Sequence, residues 1–258
     1  MIDTHSHLYF PDFANDLPEV IERAVQAGVT KIITVATDRA TAEECLKIAG
    51  RFPGIVSAAI GVHPSDVDEA TEADLLWIEA AVGDPLVVAV GEIGLDVYRG
   101  ETNLAAQEKL FERMLDLAKR VDLPAIVHHR AAGMRTYEIV KASGVERGVF
   151  HCFSEGIEYA RKILDLGWNI SFTGNVTYKN SRLPDLIKEL PLEKLLLETD
   201  APFMAPVPYR GKRCEPVHVR ETAIKLAEIY GLTLEDVNRF SSRASKCLFF
   251  QDEISISE

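Results

Sequence analysis

The chain has 258 residues, 47% of them hydrophobic, and a formal net charge of −12. This length and apolar content suffice for one domain with a large core, and no apolar run approaches the roughly 18 residues of a membrane span. The acidic balance argues against broad, sequence-independent coating of nucleic acid, which needs a basic face.

The chain shows no internal division. No Pro/Ser-rich linker, repeat or low-complexity tract interrupts residues 1–258, so a single domain is predicted. The cysteines lack C-x-x-C spacing and are predicted to be reduced thiols of a cytoplasmic protein. Because the first residues already belong to a predicted strand, no signal peptide is expected.

Short apolar runs alternate with amphipathic segments along the whole chain. Runs rich in Val, Ile and Leu are typical of strands buried on both faces. Strands are predicted at 1–2, 31–35, 55–60, 85–91, 123–127, 148–150, 168–172 and 194–199. Helices are predicted at 13–27, 41–50, 73–82, 104–120, 133–142, 157–166, 183–190 and 217–230.

About eight strand–helix units in about 250 residues predict a parallel (β/α)₈ barrel (TIM barrel). A doubly wound open sheet is the main rival architecture. The barrel is favoured because it places the first and last strands side by side, whereas the open sheet separates them.

Histidine and carboxylate residues, the types that commonly bind metal ions, follow several predicted strands. His5 and His7 lie two apart, so in a strand both imidazoles project from one face. Imidazole and carboxylate groups are common ligands of divalent cations. The other ligand-type residues at strand ends are Glu92, His128, His151 and Asp200. In a barrel the carboxyl ends of the strands form the active site, so these side chains are predicted to converge there.

A local basic rim is predicted around this site despite the acidic chain. Arg210, Lys212 and Arg213 lie after the last predicted strand, Arg130 follows His128, and Lys179 follows the seventh strand. Arg130, Lys212 and Arg213 are candidates to neutralise phosphate charge. A merely solvated charged loop is the alternative for residues 210–213.

The ordered motifs of residues 2 to about 250 resemble the TatD family of metal-dependent deoxyribonucleases, which are amidohydrolase-like barrels. The motifs are Asp3-Thr4-His5-Ser6-His7-Leu8, Gly61-Val62-His63-Pro64, Gly91-Glu92-Ile93-Gly94-Leu95-Asp96, His128-His129-Arg130, His151-Cys152-Phe153-Ser154, Leu197-Glu198-Thr199-Asp200-Ala201-Pro202-Phe203, Arg210-Gly211-Lys212-Arg213 and Glu215-Pro216.

The resemblance implies two divalent metal ions (Mg²⁺, Mn²⁺ or Zn²⁺) and a role for each ligand. One ion would be held by His5, His7, Glu92 and Asp200, and the second by Glu92, His128 and His151. Asp200 would also be the general base for the attacking water. His63 is expected to contact substrate phosphate from the rim, with a structural imidazole as the alternative.

The resemblance implies DNA as the substrate. Cleavage from single-stranded or frayed ends is expected, because a barrel mouth admits a terminal nucleotide or frayed strand more readily than an intact duplex. We also expect a monomer with no membrane partner. One alternative is a barrel hydrolase of a small lactone, amide or phosphotriester; many such relatives bridge their metals with a carbamylated lysine where this chain has Glu92. A non-catalytic, metal-stabilised scaffold is the other alternative. Tyr9, Ala131 and Cys214 depart from the family pattern, where acidic residues are usual at the first two positions and Asn at the third.

Overall fold

A computed structural model describes residues 1–98 and 103–251 of the chain. Its sheet has eight strands in the order β1 to β8, and every neighbouring pair is parallel. The strands are β1 (Ile2–Ser6), β2 (Lys31–Val35), β3 (Val56–Ile60), β4 (Val87–Asp96), β5 (Ala125–Arg130), β6 (Gly148–Phe150), β7 (Asn169–Phe172) and β8 (Leu195–Leu197). The predicted (β/α)₈ barrel is confirmed.

The helices pack outside the sheet and bury an apolar layer against it. They are α1 (Leu17–Gln26), α2 (Arg39–Arg51), α3 (Glu72–Ala81), α4 (Leu104–Val121), α5 (Gly133–Ser143), α6 (Ile157–Asp165), α7 (Leu183–Ile187), α8 (Val219–Tyr230) and α9 (Leu234–Phe249). In the described ranges, no helix combines the length and apolar character that crossing a bilayer requires.

The seam between β1 and β8 is closed by individual hydrogen bonds and one short bridge. Ser6 pairs with Ala201 in a parallel bridge. The Asp200 N–H donates to the His5 carbonyl at 2.9 Å, and the His7 N–H donates to the Ala201 carbonyl at 2.7 Å. The first and last strands therefore meet where both carry predicted metal ligands.

Strand β4 differs from its prediction, because Glu92 lies inside the strand and not after it. The pairing of β4 with β5 shifts register between Val90 and Ile93. Such an irregularity re-aims side chains locally, and Glu92 is directed into the mouth of the barrel.

The sequence analysis missed α9, which covers the amino ends of the strands. Ala244, Leu248 and Phe249 pack with inward-facing barrel residues such as Ile2 and Ile33. The helix also buries Ser241 and Ser245, and these hydroxyls interrupt the apolar pattern that periodicity detects. The sequence does contain one signal for the start of α9. Thr233 is its N-cap residue, and its hydroxyl accepts a hydrogen bond from the Asp236 N–H.

We expect Leu248→Ala to lower the free energy of unfolding by about 2–5 kcal/mol, because it removes a buried side chain from the barrel floor. Urea denaturation measures the change. The matched control is Cys247→Ala, one residue away and exposed. A loss no larger than that of the control would contradict the assignment of α9 as the floor.

Candidate metal centre

The predicted ligands converge at the carboxyl ends of the strands, in a pocket of about 750 Å³. The pocket is lined by His7, Glu92, His128, His151 and Asp200, and His5 lies fully buried beneath them. Five strands or strand ends thus contribute to one site, as the barrel prediction requires.

Three side chains form the first half of the site. The Nε2 atoms of His5 and His7 lie 3.2 Å apart. The Asp200 Oδ1 atom lies 3.4 Å from His7 Nε2 and 3.8 Å from His5 Nε2. Two imidazole nitrogens and one carboxylate oxygen therefore surround one point between β1 and the end of β8.

Glu92 lies between this half and a second one. Its Oε2 atom is 3.4 Å from His5 Nε2 and 3.7 Å from His7 Nε2. Its Oε1 atom is 2.7 Å from His151 Nε2 and 2.8 Å from His128 Nδ1. Each carboxylate oxygen faces a different pair of histidines.

The spacing fits a bound divalent cation. Nitrogen ligands at 2.0–2.1 Å from a tetrahedral Zn²⁺ lie roughly 3.3 Å apart. His5 and His7 approach at 3.2 Å and His128 and His151 at 3.3 Å. These separations match those of two ligands on one ion, and the carboxylates of Asp200 and Glu92 face the same nitrogens, so the donor set suits metal ions.

Hydrogen bonds behind the ligands set their orientation. His7 Nδ1 donates to the Val35 carbonyl at 2.8 Å, which leaves Nε2 free for the site. His128 Nε2 pairs with Asp96 Oδ2 at 3.0 Å, while Asp96 Oδ1 accepts from the Tyr98 N–H. Asp96 therefore both orients a histidine and caps the following turn.

Asp3 and Glu198 support the site from beneath, and the sequence analysis gave Asp3 no role. Asp3 is fully buried and accepts hydrogen bonds from the Thr199 N–H at 2.9 Å and hydroxyl at 2.6 Å. It thereby ties β1 to the segment that carries Asp200. Glu198 accepts from the Cys152 N–H at 2.7 Å and the Ser171 hydroxyl at 2.6 Å. The signal for Asp3 was its alternation with His5 in one strand.

The buried histidine and carboxylate cluster distributes charge unevenly. Although burial opposes a charged ring, the Glu92 and Glu198 carboxylates raise the pKa of His151 well above its ordinary value. Burial likewise opposes ionisation of Glu92, yet the surrounding histidines hold its pKa well below the usual range. At neutral pH the site therefore contains at least one ion pair, with the proton on a predicted metal ligand.

We expect metal binding at pH 7 to release at least one proton per chain, because a histidine must be neutral to bind a cation. The ion pair stabilises the metal-free fold below the ordinary histidine pKa, and this contribution is lost as the pH rises through the raised pKa of His151. Metal affinity should therefore increase from pH 6 to pH 8. Titration calorimetry in buffers of different ionisation heat measures the released protons, and His151→Asn should release fewer. An equal release from both proteins would contradict this assignment.

His63 lies deeper than a rim position. Its Nε2 atom is 3.6 Å from Glu92 Oε1, and its Nδ1 atom accepts from the Ser65 N–H at 3.0 Å. Burial lowers the pKa of His63 to about 4, so the ring is neutral at pH 7 with its proton on Nε2. It can offer that N–H to an anion, and its contact with substrate phosphate stays a prediction.

The predicted basic rim is only partly assembled. Arg130 lines the pocket and stacks on Tyr98, with 3.8 Å between the guanidinium carbon and the ring centroid. Arg213 instead pairs with Asp16 at 2.7 Å and Glu215 at 2.8 Å. Neither Lys212 nor Arg213 borders the pocket in the described part of the chain. The position of Arg213 after the last strand suggested a place on the rim, but Asp16 and Glu215 hold its guanidinium elsewhere.

His129 points away from the metal ligands, as strand alternation predicts. It is buried among Phe150, Phe153 and Tyr159. Burial lowers its pKa to about 3, which is consistent with a neutral packing role. It is not part of the ligand set.

The (β/α)₈ fold and the cluster of histidine and carboxylate side chains at the carboxyl ends of the strands are those of a metal-dependent hydrolase of the barrel class. The chain belongs to the TatD related DNase family, whose model matches residues 2–250. The family predicted from the motifs is confirmed.

Curated relatives and solved structures agree with this assignment. A Bacillus subtilis protein described as an uncharacterized metal-dependent hydrolase, YabD, is 39% identical over 252 residues, which cover 96% of this chain and 98% of that protein. The crystal structure of YjjV, a TatD homologue from Escherichia coli, matches with a TM-score of 0.93 and 34% identity, covering 96% of this chain and 97% of the other. A TatD family hydrolase from Entamoeba histolytica matches with a TM-score of 0.87 and 25% identity, covering 97% and 98%.

Proposed function

We propose that the chain hydrolyses phosphodiester bonds of DNA with two divalent cations, acting as an exonuclease on single-stranded or frayed ends. The observation that carries this proposal is Glu92, whose two oxygens face two separate histidine pairs. A carboxylate in this position can hold one cation on each side. His5, His7 and Asp200 would complete one site, and His128 and His151 the other.

Bound divalent cations supply an activated water and stabilise the attacking and leaving oxygens of a phosphodiester. Asp200 would accept the proton of the attacking water. Its side chain is 16% exposed, against 4% for Glu92, so water reaches it more easily. Although burial works against ionisation, the hydrogen bond and charge of His7 lower the pKa of Asp200, which keeps the base ionised at neutral pH.

The chemistry of the pocket supports an anionic substrate that enters by one end. Arg130 at its rim can pair with a phosphate. The volume of about 750 Å³ is in the range of small-ligand sites, so a strand terminus enters more easily than a continuous duplex. All proposed ligands come from one chain, which supports action as a monomer.

The direct test is a time course on end-labelled single-stranded DNA with Mg²⁺ or Mn²⁺, with EDTA and Asp200→Asn as controls. We expect progressive release of mononucleotides that EDTA abolishes and that Asp200→Asn strongly slows. Products of internal cleavage would contradict the exonuclease assignment. Absence of cleavage with metals demonstrably bound would favour a small ester, amide or phosphotriester substrate.

A further inference from the structure

An exposed aromatic ring borders the metal centre. In the described residues, the largely exposed aromatic side chains are Tyr98, 62% exposed, and Phe203, 47% exposed. Phe203 lines the pocket directly. Its ring centroid lies 6.3 Å from that of His7, so a group resting on Phe203 would lie beside the proposed metal ligands.

Phe203 is the outer member of an aromatic row that also contains Tyr9 and Phe10. The centroids of Tyr9 and Phe10 are 5.2 Å apart, and those of Phe10 and Phe203 are 5.1 Å apart in an edge-to-face contact. Tyr9 and Phe10 are half-buried and pack on the barrel core. The row therefore supports Phe203 from below.

The backbone fixes Phe203 relative to Asp200. The Phe203 N–H donates to the Asp200 carbonyl at 2.8 Å, closing a tight turn. An aromatic surface and the proposed general base thus occupy one short segment. A ligand that contacts both would carry an apolar group, such as an aromatic ring, close to its reacting centre.

We propose that the aromatic row is a stacking platform for the nucleobase of the terminal nucleotide. This inference rests on the proposed function, because it names the part of the DNA substrate that the same site holds. Stacking accepts every base, since each has a π-face, and it binds single strands without reading their sequence. Tyr9 and Phe10 line the same pocket and place two further uncharged aromatic rings beside Phe203.

The test compares two ligands that differ only by a base, dAMP and 2-deoxyribose 5-phosphate, titrated calorimetrically into the metal-loaded protein. We expect wild type to bind dAMP about 5- to 150-fold more tightly, the range that one base–aromatic stack contributes. Phe203→Ala should bring the ratio close to one, and Phe203→Trp should preserve it. Leu232→Ala, an exposed apolar residue outside the pocket, is the matched control.

A wild-type ratio near one, or a ratio unchanged in Phe203→Ala, would overturn the stacking platform. Cyclohexyl phosphate provides an apolar group that cannot stack. If it bound more tightly than 2-deoxyribose 5-phosphate by the same factor as dAMP, the stacking platform would also be overturned. These binding results do not depend on hydrolysis. If binding does not depend on the base but DNA is cleaved, the stacking platform is refuted and the proposed nuclease activity is not. If binding depends on the base but no DNA is cleaved, only the proposed nuclease activity is refuted.

Discussion

Replacing Asp200 by Asn is expected to lower kcat for DNA hydrolysis by about 10²- to 10⁴-fold, the usual contribution of a general base. Asparagine keeps the shape of the side chain but cannot accept the proton of the attacking water. It would also weaken binding of the proposed cation beside His7, whose Nε2 lies 3.4 Å from Asp200 Oδ1. Single-turnover kinetics on end-labelled DNA at saturating Mn²⁺ separates the chemical step from metal binding.

The matched control for this experiment is Asp66→Asn, a carboxylate that lines the same pocket but has no contact with His5 or His7 in the described structure. Raising Mn²⁺ should not restore Asp200→Asn if the lost group is the base. If high Mn²⁺ fully restored the activity of Asp200→Asn, Asp200 would serve only as a metal ligand, and its role as general base would be contradicted.

Replacing Glu92 by Gln is expected to reduce bound metal from two ions per chain to one or none. A neutral amide presents one oxygen and loses the negative charge that faces His5 on one side and His151 on the other. Loss of a direct ligand should weaken affinity by more than the roughly 10- to 100-fold typical of residues that only support ligands. Metal content after gel filtration gives the stoichiometry, and competition with a chelating dye gives the affinity.

Glu155→Gln is the matched control for Glu92, because it changes a carboxylate on the rim of the same pocket that does not face the histidine cluster. Unchanged stoichiometry in Glu92→Gln would refute the bridging position. Equal losses in both variants would show that the net charge of the pocket, and not the position of Glu92, retains the metals.

The fold and the residues that converge were largely predictable, because both depend on local patterns. Strand alternation alone places His5 and His7 on one face and turns His129 away from His128. The barrel then brings His5 and Asp200 together across 195 residues of sequence, as the hydrogen bond from the Asp200 N–H to the His5 carbonyl records.

The remaining features depend on tertiary contacts that no short pattern encodes. In the sequence Arg213 is a candidate phosphate ligand, but in the fold it forms an ion pair with Asp16, a residue near the start of the chain. The register shift that directs Glu92 inward arises from pairing between β4 and β5. Helix α9 was missed because a helix that seals the end of a barrel buries serines as well as apolar side chains.

A cation bound in the proposed site would also hold together the seam between β1 and β8. His5 and His7 stand on one side of the ring's closing point and Asp200 on the other, so an ion bound by all three can bind fully only when the ring is closed. Binding restricted to the closed form adds stability that grows with free metal, about 2.7 kcal/mol at one hundred times Kd. Chelation should therefore loosen the two ends of the sheet before it loosens the middle, and amide exchange at Asp200 and His7 should report the opening first.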